Sequence, residues 1–324
     1  MPPFLFIRCI LCLFSIPVPK GLTMLRIVTD NASDITAAQA QELDIDIIPL
    51  QLCLGESIYP QDTEQDFLLF YEHLMTSSTQ PVISVPSPQQ YLQIFLDAKE
   101  KDDDVLVLTV SSTLSDTIES ACAAWRMAEY DRVFIVDTHQ ASIGQRLLVE
   151  MAVRFRDEGY TASEIVQRIE RIRNQVGICG IVDSPSTLCD KGHGSSGFAM
   201  LRHVINTRRI FAMEDAALTV IANVRGYPQE LRAIFDHMAG SHLNKAYPVY
   251  FGYTMNRKKS EQLMRQTKDK FQLSTARLHP IGGIVGAHCG KECIAVAYVR
   301  QASTAAAQPM QTGKRVPIRK LGSI

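Results

Sequence analysis

From Met24 onward the chain alternates short apolar runs with stretches whose apolar residues recur every three or four positions. The first pattern marks strands and the second marks helices packed on one face. LRIVTD (25–30), IDIIPLQLCL (45–54), VLVLTVSS (105–112) and RVFIVDTHQ (132–140) read as strands, with helical patterns between most of them. Strands joined through helices pair in parallel, because a crossover that long returns the chain to the same end of the sheet. The expected unit is therefore α/β with a mostly parallel sheet. Three of the runs end in polar residues, at Asp30, at Ser111 with Ser112, and at Asp137. Open α/β sheets hold ligands outside the carboxyl ends of their strands, so a site is expected along that edge.

A further helix is expected to open at Thr161, whose spacing to Glu164 is that of a capping box, and to carry Ile165, Ile169, Ile172 and Val176 on one face. It closes a first domain over 24–176. GICGIVD (177–183) then reads as a strand, and Ser184-Pro185 as the N-cap and first residue of a short helix leading to Lys191. RIFAM (209–213), ALTVIANV (217–224), YPVYFGYT (247–254) and ECIAVAYV (292–299) alternate with helical stretches such as PQELRAIFDHM and SEQLMRQTKDKF. They predict a second α/β domain over 177–300. The small, polar and basic residues of 301–324 bury little, and a disordered tail is expected there. Residues 1–23 are apolar from Phe4 to Val18 but interrupted by Arg8, too short and broken to span a bilayer. They read as a leader, or as a mis-called start with the initiator at Met24.

Composition narrows the function. The chain has 324 residues, of which 33 Lys+Arg oppose 34 Asp+Glu, so no basic face is available to track a phosphate backbone and nucleic acid is not an expected partner. The eight cysteines are scattered rather than densely spaced, which suits reduced thiols in a cytoplasmic protein. Gly192-His193-Gly194-Ser195-Ser196-Gly197 spells G-x-G-x-x-G, with Glu214 and Asp215 following, but eight residues separate it from the preceding strand. A dinucleotide loop needs its first glycine at the strand end, where pyrophosphate meets the next helix, so that reading fails. Cys189, His193, His288, Cys289 and Cys293 could supply soft ligands to zinc, although none of their spacings is a tight C-x-x-C knuckle. Ser112 with His288 could make a hydrolase, without the G-x-S-x-G elbow such enzymes carry. Asp30 and Asp34 read equally as an Asx-turn and a helix N-cap and stay outside the candidate site. Ser111 and Ser112 could instead cap the helix that follows them.

Several segments together resemble the DegV family, the fatty-acid-binding subunits of bacterial fatty acid kinase. They are IVTDNASDI (27–35), IIPLQLCLGESIY (47–59), PVISVPSPQQYLQIF (81–95), LTVSSTLSDTIESA (108–121), VDTHQASIGQRLLVEMA (136–152), VDSPSTLCDKGHGSSGFAMLRHVINTRRIF (182–211) and IGGIVGAHCG (281–290). The resemblance implies two α/β domains with the ligand at the strand carboxyl ends near their interface. It implies a non-catalytic carrier that binds one long-chain fatty acid and presents the carboxylate to a separate kinase subunit. The acyl phosphate so formed feeds phospholipid synthesis, which admits an acyltransferase as a further partner. No cofactor, metal or stable membrane insertion is implied. The carboxylate contacts carry over to Ser84, Ser111, Ser112 and His288, with His193 as a secondary one. Chemistry agrees with that set, since a carboxylate taken from water keeps its charge only where hydroxyl and imidazole donors replace its hydration. The chain departs from the family at Ile83, where a hydroxyl is expected, at His193, which stands for an arginine, and at Lys291, which stands in a tight turn.

Overall fold

The computed structural model describes residues 24–182 and 208–301. The leader, the Ser184-Pro185 helix, the loop with Cys189 and His193, and the tail lie outside the described residues.

Strand β1 (Leu25–Asp30) leads through a single turn of 3-10 helix to α1 (Ala37–Leu43) and β2 (Ile45–Ile48). The run expected as one strand over 45–54 is two. Pro49 lacks the N–H that would continue the ladder, and Leu50 leaves it to exchange two hydrogen bonds with the Asn31 amide, at 2.9 and 3.1 Å. The chain then forms β3 (Gln51–Leu54), β4 (Ser57–Tyr59), α2 (Glu64–Thr76) and β5 (Pro81–Ser84), with β4-β3-β5 a separate antiparallel sheet. Next come α3 (Pro88–Lys101), β6 (Asp104–Thr109), α4 (Thr117–Ala128) and β7 (Val133–Asp137). The first sheet has the order β2-β1-β6-β7 and is parallel throughout, as the alternating pattern requires.

Helix α5 (Ser142–Asp157) is buried along most of its length, and α6 (Ala162–Arg173) packs beside it. The capping box is present: Thr161 Oγ1 accepts from the Glu164 amide while Glu164 accepts from Thr161, an arrangement that contributes about 1 kcal/mol. Ile165, Ile169 and Ile172 are buried as expected, but Val176 is not on that helix. It begins β8 (Val176–Val182), because α6 ends at Arg173.

The second sheet continues with β9 (Arg208–Glu214), β10 (Ala217–Val224), α7 (Tyr227–Gly240), β11 (Val249–Tyr253), α8 (Arg257–Phe271), β12 (Ala276–Pro280), α9 (Gly283–Cys289) and β13 (Ile294–Val299). Its order is β10-β9-β8-β13-β11-β12, antiparallel except for the β11-β12 pair. One hydrophobic cluster runs from the first sheet through α5 to the inner face of the second, joining Ile27 and Leu108 to Ile178, Met213 and Ala295. Buried polar groups fasten the same junction. Arg146 on α5 pairs with Glu150 at 2.8 Å, and Glu150 accepts from Tyr250 on β11 at 2.7 Å and from Arg277 on β12.

Candidate functional site

The carboxyl ends of β1, β6 and β7 meet in a polar layer. Asp30 accepts from the Ala32 amide at 3.1 Å, which is the Asx-turn read from the sequence, and its other oxygen accepts from the Val110 amide at 2.8 Å. It is fully buried, and desolvation raises its pKa to about 6 against the hydrogen bonds that lower it. Asp34 is not the N-cap of α1, which is Thr36; it is the C-cap of the 3-10 turn, its amide donating to Asn31 O. Asp34 stands at a left-handed φ of 58° and reaches across the molecule, accepting from the Ser142 hydroxyl at the start of α5 and from the Gly282 amide at 2.8 Å. Burial raises its pKa to about 7, opposed by those two bonds and by Arg146. Neither Asp34 nor Ser142 was a candidate from sequence, although both lie in quoted segments: nothing local marks two residues 108 positions apart as partners.

Ser111 and Ser112 follow β6. They do not cap α4, whose N-cap is Asp116. The buried Ser111 donates its amide to Gln140 O at 2.8 Å and shares a hydrogen with the Thr113 hydroxyl at 3.0 Å. Thr113 also donates to Ala216 O at 2.9 Å, which ties this loop to the β9-β10 turn of the second sheet. Ser112 donates its amide to the Asp137 carboxylate and is exposed.

His288 lies in the last turn of α9, a helix that sequence reading left as a glycine-rich motif. Side chains hold the start of α9: Gly282 N–H donates to Asp34, Gly283 N–H to Gln61, and Tyr71 Oη to Ile281 O at 2.8 Å and Gly282 O at 3.1 Å. Gly286 leaves the room for Tyr71, since a Cβ there would come within 1.7 Å of the phenol oxygen. Burial pushes the His288 pKa down to about 4, so the imidazole is neutral near pH 7.

Between the polar layer and the second sheet lies a narrow apolar slot of about 40 Å³. Ile178, Val182, Phe211, Met213 and Leu218 form one wall; Ile281, Val285 and Cys289 of the α9 segment form another. Leu114, from the Ser111-Ser112 loop, and Ala141 to Ile143, opening α5, complete it with Cys293 and Ala295. The slot draws Leu114 from the Ser111-Ser112 loop and Val285 and Cys289 from the helix that bears His288, but Ser111, Ser112 and His288 themselves are outside its lining. Ser84 is outside it too, exposed at the end of β5 and paired with Gln51. Among the described residues no three His, Cys, Asp or Glu side chains gather as a metal site requires. Cys189 and His193 lie outside them.

The model of the DegV family, described as an uncharacterised protein family, matches residues 24–301. The chain belongs to the DegV family. A DegV domain-containing protein of Deinococcus radiodurans is 27% identical over 277 residues, covering 84% of this chain and 96% of its own. The fold is shared with a stearic acid-binding protein of Eubacterium ventriosum, at a TM-score of 0.75 and 18% identity over 86% of this chain and 98% of that one. It is shared equally with the fatty acid kinase (Fak) B3 protein of Streptococcus pneumoniae, loaded with linoleic acid, at a TM-score of 0.74 and 19% identity over 86% and 100%. No helix among the described residues is long and apolar enough to cross a membrane.

Proposed function

We propose that this chain is a non-catalytic carrier that binds one long-chain fatty acid, with the tail in the slot and the carboxylate toward Ser111, Ser112 and His288. The observation that carries the reading is the slot itself, whose hydrocarbon lining takes in Leu114 of the Ser111-Ser112 loop and Val285 and Cys289 of the helix that bears His288. Such a lining suits a hydrocarbon tail. Each buried methylene contributes about 0.8 kcal/mol, so a long chain is held firmly, while the hydroxyls and one imidazole N–H replace the hydration of the carboxylate. The stearic and linoleic acids of the two solved relatives belong to the same ligand class. The Fak B3 likeness supports the further step, in which a separate kinase subunit phosphorylates the presented carboxylate and the product enters phospholipid synthesis. Ser84 and His193 remain in the proposal as contacts made by the family.

Protein purified under native conditions, then denatured and extracted, is expected to release about one equivalent of a C14 to C18 fatty acid. A ligand-free preparation that also fails to bind labelled oleate would overturn the reading.

A further inference from the structure

A second and roomier cavity, of about 360 Å³, is lined by residues of α1, of β2 and of the segment between β4 and α2. It shares no lining residue with the slot. Its volume falls in the range of small-molecule sites, about 300–1,000 Å³. The wall is mixed: Ile35, Ala40, Ile45 and Ile47 supply hydrocarbon, and the carboxylates of Asp46 and Asp62 belong to the same lining. No Lys, Arg or His stands among them.

The two carboxylates differ in what balances them. Asp46 is paired with Arg26 at 2.9 Å. The exposed Asp62 makes no ion pair and no side-chain hydrogen bond among the described residues. Its backbone is nevertheless held, because the carbonyl accepts from Ala37 N–H at 2.8 Å and the amide donates to Asp66 at 3.3 Å. Asp66 deepens the negative field, since its partners are the Asp62 and Thr63 amides and the Thr63 hydroxyl, none of them a cation. The lining amides are committed elsewhere: Asn31 bonds Leu50, and Gln61 bonds Pro60 and Gly283. β2, finally, is the edge of its sheet and pairs with β1 alone. An edge strand keeps backbone carbonyls that no neighbouring strand takes, and Ile45, Asp46 and Ile47 bring that edge into the lining.

We propose that this cavity binds a small amphiphilic cation, a primary ammonium on a compact apolar body. The ammonium, with three N–H groups to place, donates to Asp62 and to the edge carbonyls of β2, while the body packs on Ile35, Ala40, Ile45 and Ile47. An anion is turned away by the same lining, because its charge would meet Asp62 with no cation to answer it. A neutral ligand gains the apolar wall only. The site is separate from the slot, and the inference does not depend on the fatty-acid reading.

The test titrates 2-phenylethylamine and its uncharged counterpart 2-phenylethanol into the unmodified chain, Asp62→Asn and Ala37→Phe, at about pH 7, where the amine is protonated. Calorimetry or ligand-detected NMR gives the dissociation constants. The amine is expected to bind about fivefold tighter than the alcohol, the size of a partly exposed charge contact. In Asp62→Asn that preference should vanish while alcohol binding holds, since only the charge has gone. Ala37→Phe extends a ring from an exposed position on the cavity wall and should weaken both ligands together. Equal affinity for amine and alcohol in the unmodified chain overturns the proposal, as does failure of both to bind or a preference that survives Asp62→Asn. Ligands that bind Ala37→Phe as well as the unmodified chain lie outside the cavity and overturn it too. If Ala37→Phe does not fold, the ratio of amine to alcohol affinity in Asp62→Asn decides alone.

Discussion

The two sheets bring opposite chemistry to the junction that holds the slot. At the carboxyl edge of the parallel sheet, Asp30, Asp34, Ser111 and Gln145 are buried and hydrogen-bonded to one another's loops. The facing strands of the second sheet contribute Ile178, Val182, Phe211, Met213 and Leu218, with no polar side chain among them. The difference follows from topology. Parallel strands all end on one side, where each chain leaves its ladder and must satisfy loop amides with side chains, so polar residues collect there. The second sheet turns a strand face to the slot, and a face is served by alternate side chains whose backbone groups are already paired. The slot itself is lined almost wholly by apolar side chains, and Asp30, Asp34, Ser111 and Gln145 stand outside its lining.

The comparison breaks most sharply if the apolar face is given a charge. Ile178→Asp places a carboxylate in the slot with no partner, and fatty acid affinity should fall more than about a hundredfold in a displacement titration. The same change at Ile221, exposed on β10, should leave affinity alone. Equal losses at both positions would mean that the slot does not hold the tail.

The polar side is tested by Ser112→Ala and His288→Ala. A charge-assisted hydrogen bond is worth about 1.5–3 kcal/mol, so each variant should weaken fatty acid binding about tenfold or more relative to the methyl ester of the same acid. Unchanged ratios in both would move the carboxylate away from these residues, with Ser84 the next candidate. Neither the unmodified chain nor the variants should turn over an activated ester; saturable cleavage lost in both would favour a hydrolase.

The smallest effect concerns stability and pH. Asp34 has a folded pKa raised to about 7 above an ordinary carboxylate value, so its contribution is fully present below the unfolded value and is lost as pH rises through about 7. His288 has the opposite sign: its pKa is depressed to about 4, and its contribution is present above the ordinary imidazole value and lost as pH falls. Thermal melts of Asp34→Asn and the unmodified chain between about pH 4 and pH 8 should therefore show the deficit of the variant shrinking as pH rises. A deficit constant across that range would show that Asp34 does not titrate there.

Much of this was legible from local pattern, because local pattern reports local physics. β10 spans the run ALTVIANV from end to end, and the Thr161-Glu164 capping box opens α6. Both are decided within a few residues, by alternation in one case and by orphan amides in the other. Where the reading slipped, a neighbour distant in sequence had the deciding contact. The break at Pro49 is visible in the text, but the exit of Leu50 into another sheet depends on Asn31. Val176 continues the spacing of α6 and was assigned to it, yet its place is opposite Val299 in the second sheet.

The sequence by itself determined the α/β class, the parallel first sheet and the place of the hydroxyls at the end of β6, while family resemblance offered His288 as a candidate. Only the tertiary structure decided that Asp34, Ser142 and Gly282 form one junction, that α9 lines a slot with Val285 and Cys289, and that Ser84 lies outside that lining. The physical reason is the range of the interactions. Periodicity and capping are properties of a window a few residues wide, whereas a slot is the space left between surfaces brought together from across the chain.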